Sequence, residues 1–475
     1  MTGSAAVEAP ADTGSDTLLL TALALLTTVT AIVSSLGAPL VPSVATDFDV
    51  RLTTAQWSLT AALLMAAVAT PVVGRFASGR LRRPTILVGL ALVTLGTLLA
   101  VVAVPIASFP LLVVARALQG LGMALLPLAI AVARDALAPE RVDRAIALLS
   151  VTTVAGAGLG YPVTAAVAEL GGLVAAYVLG TVLLLATLAL AWSQVPAGDD
   201  SPGAPVDWLG ALLLGAGMLS LLLAISEGEV WGWTAPGTLG LAATGVVGVV
   251  AWVLRTVRTP TPLVDLRLAV RPGVAAPNLV ALMAGTGMYA LLTLSVVVVR
   301  ADDPDFGLGA SVLVAGLILV PYSIMSVLGN RLALWVRARI GSRVLLPTGC
   351  LMFLLATLSL GLFHDHLALV LLAMALGGTG SGFTFSSLAV LMVPHVPPAE
   401  TGSAVAFNQV LRYLGFTVGS AVSVALVAAY GGGYPGFRAA LLTLGSLWVV
   451  AAAAVLVLDR RADVMRTGGP SRPSA

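Results

Sequence analysis

Residues 111–124 read LLVVARALQGLGMA, an apolar run that carries a single charged side chain, Arg116, near its middle. A weaker copy, VLLAMALGGTGSG, occupies residues 370–382, and Met374 stands there in the place of the arginine. An arginine inside a membrane helix costs at least about 2.5–3.5 kcal/mol, so its side chain faces the protein interior or a wet cavity. A duplicated membrane segment is typical of transporters that are built from internal repeats.

The composition is that of a membrane protein. Of 475 residues, 59% are hydrophobic and 10% are charged, and the mean hydropathy is +1.03. All 24 Lys and Arg residues are arginine, which excludes a Walker A lysine and Schiff-base chemistry on lysine. Cys350 is the only cysteine, so the chain forms no internal disulfide. We therefore expect a membrane protein without a cofactor and without a nucleic-acid partner.

Runs of about 20 apolar residues, separated by charged or Gly/Pro-rich breaks, predict fourteen membrane helices, called spans 1 to 14. They cover residues 17–42, 54–76, 85–106, 110–133, 145–168, 172–194, 206–226, 236–257, 273–299, 309–330, 344–363, 366–392, 403–428 and 437–458. Residues 1–16 and 459–475 are predicted polar tails. The first tail lacks the positive segment of a signal peptide, so we expect span 1 to stay in the mature protein.

The arginines are distributed asymmetrically about these spans. With both termini in the cytoplasm, 19 arginines fall in cytoplasmic segments or at the cytoplasmic end of a span, and only Arg51, Arg300 and Arg438 fall on the outer side. The remaining two, Arg116 and Arg412, lie within spans. Because cytoplasmic loops carry an excess of basic residues, this pattern predicts a multi-pass protein of the plasma membrane with both termini and both tails in the cytoplasm.

The duplication extends over most of the chain, because matched positions share an offset between 256 and 260 residues. The matched pairs include Gly74 with Asn330, Arg75 with Arg331, Gly156 with Gly415 and Gly160 with Gly419. Residues 17–194 therefore form one predicted six-helix bundle and residues 273–458 the other. Residues 195–272 are an inserted helix pair with its linkers. Parallel repeats of this kind predict alternating access around a site between the halves.

Residues 116–122 (RALQGLG) are similar to the fourth-helix motif of the major facilitator superfamily, and residues 156–162 (GAGLGYP) resemble its fifth-helix antiporter motif. Residues 408–415 are typical of the fourteen-helix drug–proton antiporter branch of that family. The resemblance implies an all-α integral membrane protein with two six-helix bundles, two inserted helices and 14 transmembrane helices. It also implies a secondary transporter of the multidrug efflux type that exports hydrophobic or amphipathic small molecules in exchange for protons.

Two positions differ from the family pattern. The loop after span 2 reads GRFASGRLRR at residues 74–83, and Ser78 stands where the family usually has aspartate. In span 1, Val33 stands at the family's other aspartate position. No Asp or Glu lies inside a predicted span except Asp207, which sits at the end of span 7, although a proton-coupled carrier needs a group whose protonation changes during transport. The residues leave open proton coupling through Asp47 or Glu169 at the outer rim, coupling to another ion, or no coupling.

Polar and small residues within the spans supply the candidate site. Those expected to bind substrate or to gate the cavity are Arg116, Gln119, Asn408, Arg412, Ser34 and Tyr289. Those expected to pack or bend helices are Gly120, Gly122, Gly156, Gly160, Pro162, Gly415 and Gly419. The cytoplasmic loop motif contributes Gly74, Arg75, Ser78, Arg82 and Arg83. Because unsatisfied polar groups are costly in lipid, the polar residues should face the central cavity or a neighbouring helix.

Alternative interpretations accompany these assignments. Arg116 has an equally favoured structural role, in which it donates hydrogen bonds to backbone carbonyls of neighbouring helices. Two buried cations and no buried anion favour neutral, amphipathic or anionic substrates over strictly cationic ones. Residues 364–366 (HDH) have a metal-binding composition but occupy a short turn without further ligands. We therefore expect no metal site, and we identify no catalytic residue.

The residues alone leave three functions open. The first is export of hydrophobic or amphipathic small molecules by a monomeric secondary carrier. The second is specific or uncoupled export of one endogenous metabolite or lipid. The third, a membrane-embedded receptor or enzyme, is disfavoured because the short loops supply no cluster of residues suited to chemistry.

Overall fold

The computed structural model describes residues 13–76, 80–198, 206–260, 262, 266–271, 273–302, 306–396 and 401–467. Within these residues every regular element is a helix and none is a β-strand. The apolar composition explains this result, since a segment that crosses lipid must satisfy its backbone hydrogen bonds internally. By length and composition, thirteen of the described helical segments could cross a membrane. The predicted all-α membrane fold is therefore confirmed.

Each predicted span overlaps a helix. Spans 1 to 4 correspond to Thr13–Ser35, Trp57–Gly74, Arg82–Ala103 and the pair Phe109–Gly120 and Leu126–Ala136. Spans 5 and 6 lie in Pro139–Gln194, and spans 7 and 8 are Trp208–Trp231 and Pro236–Arg258. Spans 9 to 14 correspond to Ala275–Arg300, Leu319–Ile340, Leu345–Leu362, Leu367–Met392, Thr401–Ala429 and Gly433–Thr467. Shorter helices are Val41–Asp47, Leu52–Ala55, Leu266–Ala269 and Val312–Leu317, with 3-10 turns at Ala38–Leu40, Leu121–Leu125 and Val393–His395.

Spans 5 and 6 are separated by a reversal at Gly172, where φ is 71° and ψ is −175°. A straight helix of these 56 residues would be about 84 Å long, against about 30 Å for the bilayer core. Gly156 and Gly180 nevertheless contact Thr28 and Leu36, which are only about 12 Å apart along span 1. The chain therefore turns back at Gly172, a conformation that glycine adopts at little steric cost. The total of fourteen membrane crossings stays a prediction.

Span 4 is not the single continuous helix that the sequence predicted. It consists of Phe109–Gly120, a 3-10 turn at Leu121–Leu125 and a second helix, Leu126–Ala136. Pro127 explains the interruption, because proline lacks an N–H and its ring clashes with the carbonyl of the fourth residue before it. The tighter turn lies directly after Arg116 and Gln119, so it alters which residues of span 4 share a face.

The two predicted halves repeat a close contact between helices. A Cβ atom added to Gly120 would lie 2.1 Å from the Ala62 carbonyl oxygen, and one added to Gly378 would lie 2.2 Å from that of Tyr322. The first contact joins spans 2 and 4, and the second joins spans 10 and 12. Small residues allow such close approach of helix backbones. This shared geometry supports the duplication, while the predicted domain boundaries at residues 17–194, 195–272 and 273–458 stay predictions.

The inserted spans 7 and 8 pack chiefly against each other. A Cβ atom added to Gly248 of span 8 would lie 2.9 Å from Gly217 Cα of span 7. Span 7 also contacts both halves, because Trp57 Nε1 of span 2 donates a 2.9 Å hydrogen bond to Ser226 Oγ, and Leu222 clusters with Ala421 of span 13. The inserted pair therefore lies beside the junction of the two halves.

The two ends of the bundle are distinguished by their ion pairs and turns. At one end Arg141 Nη1 lies 3.1 Å from Asp16 Oδ2, and Arg82 Nη1 lies 2.5 Å from Asp135 Oδ2. This end, where span 1 begins, is called the terminal side. The opposite end, which contains the Gly172 turn, is called the far side.

Candidate functional site

A cavity of about 440 Å³ lies between the two halves, in the middle of the bundle. Its described lining comes from spans 1, 4 and 5 on one side and from spans 9, 10, 12 and 13 on the other. The aromatic lining residues are Tyr161, Tyr289, Tyr322, Phe385, Tyr413 and Phe416. The polar ones are Thr27, Thr30, Ser34, Ser323, Ser326, Asn330, Ser381, Ser386 and Gln409. A cavity of this volume accommodates a drug-sized molecule.

Arg412 is the only charged side chain in the described lining. Its Nη2 donates a 2.6 Å hydrogen bond to Gln409 Oε1, and Gln409 Nε2 in turn donates a 2.9 Å bond to the Tyr413 hydroxyl. The guanidinium carbon lies 5.1 Å from the ring centre of Phe385 and 5.9 Å from that of Tyr413. These contacts combine cation–π attraction with an oriented amide, so the guanidinium is held at the cavity wall.

The aromatic residues form a connected wall beside Arg412. The ring centres of Tyr289 and Phe416 are 4.5 Å apart, joining spans 9 and 13. Phe416 also lies 6.2 Å from Phe385 and 5.8 Å from Tyr413, centre to centre. Edge-to-face and tilted ring pairs of this kind pack favourably and present a broad apolar surface. The site therefore combines one cation with an aromatic wall.

Arg116 lies outside the cavity lining, although the sequence placed it among the candidate binding residues. Its side chain is fully buried. Nε donates a 2.7 Å hydrogen bond to the Ser58 carbonyl, while Nη1 donates to the Val33 carbonyl at 3.3 Å and to Gln119 Oε1. Arg116 thus joins spans 1, 2 and 4, as in the structural interpretation. Val33, at the position of a family aspartate, supplies a carbonyl instead of a carboxylate.

The remaining candidate binding residues divide between the cavity and the helix interfaces. Ser34 and Tyr289 line the cavity, and Ser34 Oγ donates a 2.8 Å bond to the Thr30 carbonyl of its own helix. Asn408 lies outside the described lining, and its Nδ2 donates to the Pro277 carbonyl at 3.1 Å and to Asn278 Oδ1 at 3.0 Å. Asn408 therefore ties span 13 to span 9. The roles of all six residues in binding or gating stay predictions.

The motif glycines lie where helix backbones approach each other. A Cβ atom on Gly156 would lie 2.6 Å from the Thr28 carbonyl oxygen, and one on Gly122 would lie 3.1 Å from Thr30 Cβ. In span 13, the corresponding Cβ atoms of Gly415 and Gly419 would lie 2.2 Å and 2.1 Å from carbonyl oxygens of span 9. These positions therefore require glycine for close helix packing.

The end of the fifth-helix motif faces the other half of the protein. Gly160 is buried, and its carbonyl accepts a 2.7 Å bond from Thr164 Oγ1. A Cβ atom on Gly316 of span 10 would lie 2.7 Å from the Tyr161 carbonyl oxygen and 3.2 Å from Pro162 Cα. Pro162 thus stands at a close contact between the halves, and its predicted hinge role stays a prediction.

The loop motif after span 2 anchors neighbouring helix ends on the terminal side. Arg82 pairs with Asp135 at the end of span 4, and Arg83 Nη2 donates a 2.8 Å bond to the Trp192 carbonyl of span 6. Arg75 Nη2 donates to the Pro262 carbonyl in the linker after span 8. Gly74 has no neighbour within 4 Å of an added Cβ atom, and Ser78 lies outside the described residues.

On the far side the two halves are joined by hydrogen bonds. Gln56 Nε2 of span 2 donates a 2.8 Å bond to Ser420 Oγ of span 13, and the Thr60 hydroxyl lies 3.0 Å from the same oxygen. The Leu313 N–H donates a 2.6 Å bond to Glu169 Oε2, which links span 10 to span 5. The cavity therefore lies on the terminal side of a closed layer of contacts.

The turn at residues 364–366 carries no cluster of ligands. His364 is buried among Phe306, Tyr434 and Phe437, with ring centres 5.0–6.2 Å away. Burial lowers the pKa of His364, although the nearby Asp365 opposes that shift. No group of three or more His, Cys, Asp or Glu residues suited to a metal occurs in the part of the chain that the structure describes. His364 is thus part of an aromatic cluster.

Several cavity residues were missed by the sequence-based selection. Gln409, Tyr413, Phe385, Phe416 and Tyr161 all line the cavity. Gln409 had a usable signal, because it lies three residues from Arg412, the same spacing that separates Gln119 from Arg116. The aromatic residues had none, since an aromatic ring in an apolar helix is equally compatible with lipid, helix packing or a cavity.

Sequence comparison connects this architecture to known transporters. A profile of the Major Facilitator Superfamily matches residues 23–301 and 278–473. The multidrug resistance protein Stp of Mycobacterium tuberculosis (strain ATCC 25618 / H37Rv) is 29% identical over 405 residues, which cover 82% of this chain and 72% of Stp. The cephamycin export protein CmcT of Amycolatopsis lactamdurans is 28% identical over 406 residues, covering 83% of this chain and 81% of CmcT.

Solved structures share the fold at lower sequence identity. The crystal structure of the POT family transporter PepTSo matches with a TM-score of 0.65 at 13% identity, covering 96% of this chain and 99% of that protein. At this identity the match concerns the arrangement of helices and not the substrate.

Proposed function

The chain belongs to the major facilitator superfamily of membrane transporters, and on that premise we propose that it exports hydrophobic or amphipathic small molecules by alternating access. The observation that carries the proposal is the cavity of about 440 Å³ between the halves, with an aromatic wall and closed far-side contacts. Relatives named for multidrug resistance and for cephamycin export support the outward direction of transport.

The protein resides, in this proposal, in the plasma membrane with both termini in the cytoplasm. The excess of arginine in the segments on the terminal side supports that orientation. The cavity then lies on the cytoplasmic side of the closed layer, which suits loading of a substrate from the cytoplasm or the inner leaflet. Because the cavity lies between the two halves of one chain, the proposed transporting unit is a monomer.

Export requires the far-side layer to open. The bonds from Gln56 to Ser420 and from Leu313 to Glu169 join opposite halves, so they must break when the halves rock apart. The neutral bond contributes about 0.5–1.5 kcal/mol net and the bond to the carboxylate about 1.5–3 kcal/mol, because water replaces the lost partner. A few bonds of this strength allow a closed state that predominates and still opens at a useful rate.

The energy source has two candidates. The family resemblance favours exchange with protons, for which Asp47 and Glu169 are far-side carboxylates. Uncoupled export is favoured by the cavity itself, since its described lining contains no Asp, Glu or His. Arginine is a poor proton carrier because it stays protonated through the physiological range.

Proteoliposomes distinguish these candidates. Purified protein would be reconstituted and loaded with a panel of neutral, anionic and cationic amphipathic dyes, with and without an imposed pH gradient. Uphill movement that depends on the gradient supports proton exchange, whereas protein-dependent equilibration without a gradient supports an uncoupled exporter. Dye fluxes equal to those of protein-free liposomes for the whole panel would contradict export.

A further inference from the structure

The charge of the cavity is unbalanced. Arg412 lines it, and the described lining contains neither a carboxylate nor a second titratable cation. None of the five ion pairs among the described residues includes Arg412. A partly buried cation without a counter-ion attracts an anion and repels another cation. The described lining therefore lacks a negative charge to balance Arg412, and an anionic ligand would supply it.

Arg412 also retains hydrogen-bonding capacity. A guanidinium has five N–H donors, and the bond to Gln409 uses one nitrogen, Nη2. Nε makes no hydrogen bond to a described residue but is enclosed by protein, whereas Nη1 makes none and is not enclosed, so Nη1 is the donor that a ligand reaches. Planar carboxylates match the guanidinium fork with two parallel bonds. Since Tyr413 orients Gln409, and Gln409 orients Arg412, the fork is positioned before a ligand arrives.

The surroundings of Arg412 match an aromatic body next to the anionic group. Phe385, Tyr413, Phe416 and Tyr289 form the connected wall beside the guanidinium, with ring centres 4.5–6.2 Å apart. Ring faces and edges accept a flat apolar group by stacked or edge-to-face contact. The volume of about 440 Å³ admits such a molecule.

Resting on the proposed export function, we infer that the substrates are aromatic amphiphiles with one carboxylate, which Arg412 binds while the aromatic wall holds the ring system. Amines of the same shape are excluded, because their ammonium group would enter a cavity that already holds a guanidinium and offers no carboxylate. Neutral amides bind with intermediate strength through the ring contacts.

A matched series of probes tests this inference. The probes are 2-naphthylacetate, 2-naphthylacetamide and 2-(2-naphthyl)ethylamine, which share one ring system and differ in charge. Their affinities for purified full-length protein in detergent would be measured by isothermal titration calorimetry. We expect the carboxylate to bind more tightly than the amide, and the amide more tightly than the amine. Arg412→Gln should weaken the carboxylate about 10- to 100-fold and leave the amide nearly unchanged.

Two variants control for folding and for general charge. Arg412→Lys keeps the cation but loses the planar fork. This variant should still bind the carboxylate more tightly than the amine, but its affinity for the carboxylate should be lower than that of the wild type. Arg438→Gln removes an exposed arginine of span 14 outside the cavity, and it should leave all three affinities unchanged. Unaltered amide binding by Arg412→Gln confirms that this variant is folded.

Several outcomes would overturn the inference: equal binding of the three probes to wild type, preference for the amine, or a carboxylate affinity that Arg412→Gln leaves unchanged. If Arg412→Gln does not fold, the inference is tested by the order in which the wild type and Arg412→Lys bind the carboxylate, the amide and the amine. Flux of the same probes in proteoliposomes separates this result from the proposed function. Selective carboxylate binding without flux contradicts export alone, whereas flux of the amine without carboxylate binding contradicts the substrate class alone.

Discussion

Arg116 and Arg412 are two arginines within the membrane spans, each paired with a glutamine three residues away, yet their surroundings differ. Arg116 is fully buried within the N-terminal half and donates to carbonyls of spans 1 and 2. Arg412 stands at the cavity between the halves, where an amide and two rings hold it. The first arrangement joins helices, and the second leaves donors available to a ligand.

This contrast shows that a buried charge is not by itself a binding site. The Arg116 guanidinium is held by backbone carbonyls, and its one unpartnered nitrogen, Nη2, is enclosed beside Gly37 and away from the cavity lining. Its removal should therefore affect folding first. The Arg412 guanidinium borders the cavity and can take a ligand as a further partner, so its removal should affect binding first. Substitution of Arg116 is therefore expected to lower stability, and substitution of Arg412 is expected to weaken ligand binding.

The largest difference should appear in the pair Arg116→Ala and Arg412→Ala. Removing Arg116 takes a donor from the Ser58 and Val33 carbonyls and from Gln119 Oε1 and leaves a cavity, so we expect a loss of about 2–5 kcal/mol in unfolding free energy. Arg412→Ala should lose only about 1 kcal/mol, because its side chain borders the cavity. Thermal unfolding of the purified variants in detergent measures both. An equal fall in Tm for the two variants contradicts the distinction.

The next effect concerns the helix contacts that the two halves share. Gly120→Ala and Gly378→Ala each place a methyl group about 2 Å from a carbonyl oxygen, so each should destabilise the protein by about 1–3 kcal/mol. Gly74→Ala is the matched control, since an added Cβ there meets nothing within 4 Å. Thermal unfolding should show similar losses for the first two variants and none for the control. If either Gly120→Ala or Gly378→Ala left the Tm unchanged, the two helix contacts would not be equivalent.

A smaller effect is expected from Ser420→Ala, which removes the far-side bonds to Gln56 and Thr60. Loss of about 1 kcal/mol for each of the two bonds, about 2 kcal/mol in all, should shift the population toward far-side opening by roughly thirtyfold. Ser423→Ala is the control, because among the described residues the Ser423 hydroxyl donates to a carbonyl of its own helix, that of Ser420.

Spin labels report this opening directly. Leu170→Cys and Tyr430→Cys place labels at exposed far-side positions of opposite halves, in a Cys350→Ser background. The long-distance population between the labels should increase in Ser420→Ala and stay unchanged in Ser423→Ala. An unchanged distance distribution in both variants would assign far-side closure to other contacts.

The smallest expected effect is on the pH dependence of stability. It arises at His364 in the far-side turn and not at the cavity. Burial lowers the pKa of His364 in the folded protein, so the unfolded chain binds its proton more readily. Stability should therefore be complete above the usual histidine range, near pH 6.5, and decline as the pH falls below it. His364→Phe should reduce this decline, measured by thermal unfolding between pH 5 and 7. An identical pH profile in the variant contradicts this role.

Most of the fold was predictable because its signals lie in short stretches of sequence. Apolar runs predicted a helix at every span, and the break between spans 5 and 6 was placed beside Gly172, where the chain reverses. The 3-10 turn in span 4 was not predicted, although Pro127 follows it closely. Proline is tolerated within membrane helices when neighbouring groups satisfy the freed carbonyl, so its presence alone did not decide the local geometry.

The candidate site was predictable only in part. The sequence selected Arg412, Ser34 and Tyr289, which line the cavity, together with Arg116, Gln119 and Asn408, which do not. Helical spacing assigns residues to a common face, but it does not specify which neighbour that face meets. Contacts such as Gly120 against Ala62 set the rotation of each helix, and they involve pairs far apart in the chain.

By itself, the sequence determined the membrane class, the helical segments, the internal duplication and the absence of a carboxylate from the middle of the spans, since these follow from local composition and spacing. Only the tertiary structure decided that Arg116 meets carbonyls while Arg412 meets a cavity. The physical reason is that the surroundings of a side chain depend on how several helices rotate and pack together. An arginine in an apolar run predicts a partner, and the packed helices determine whether that partner is the protein or its substrate.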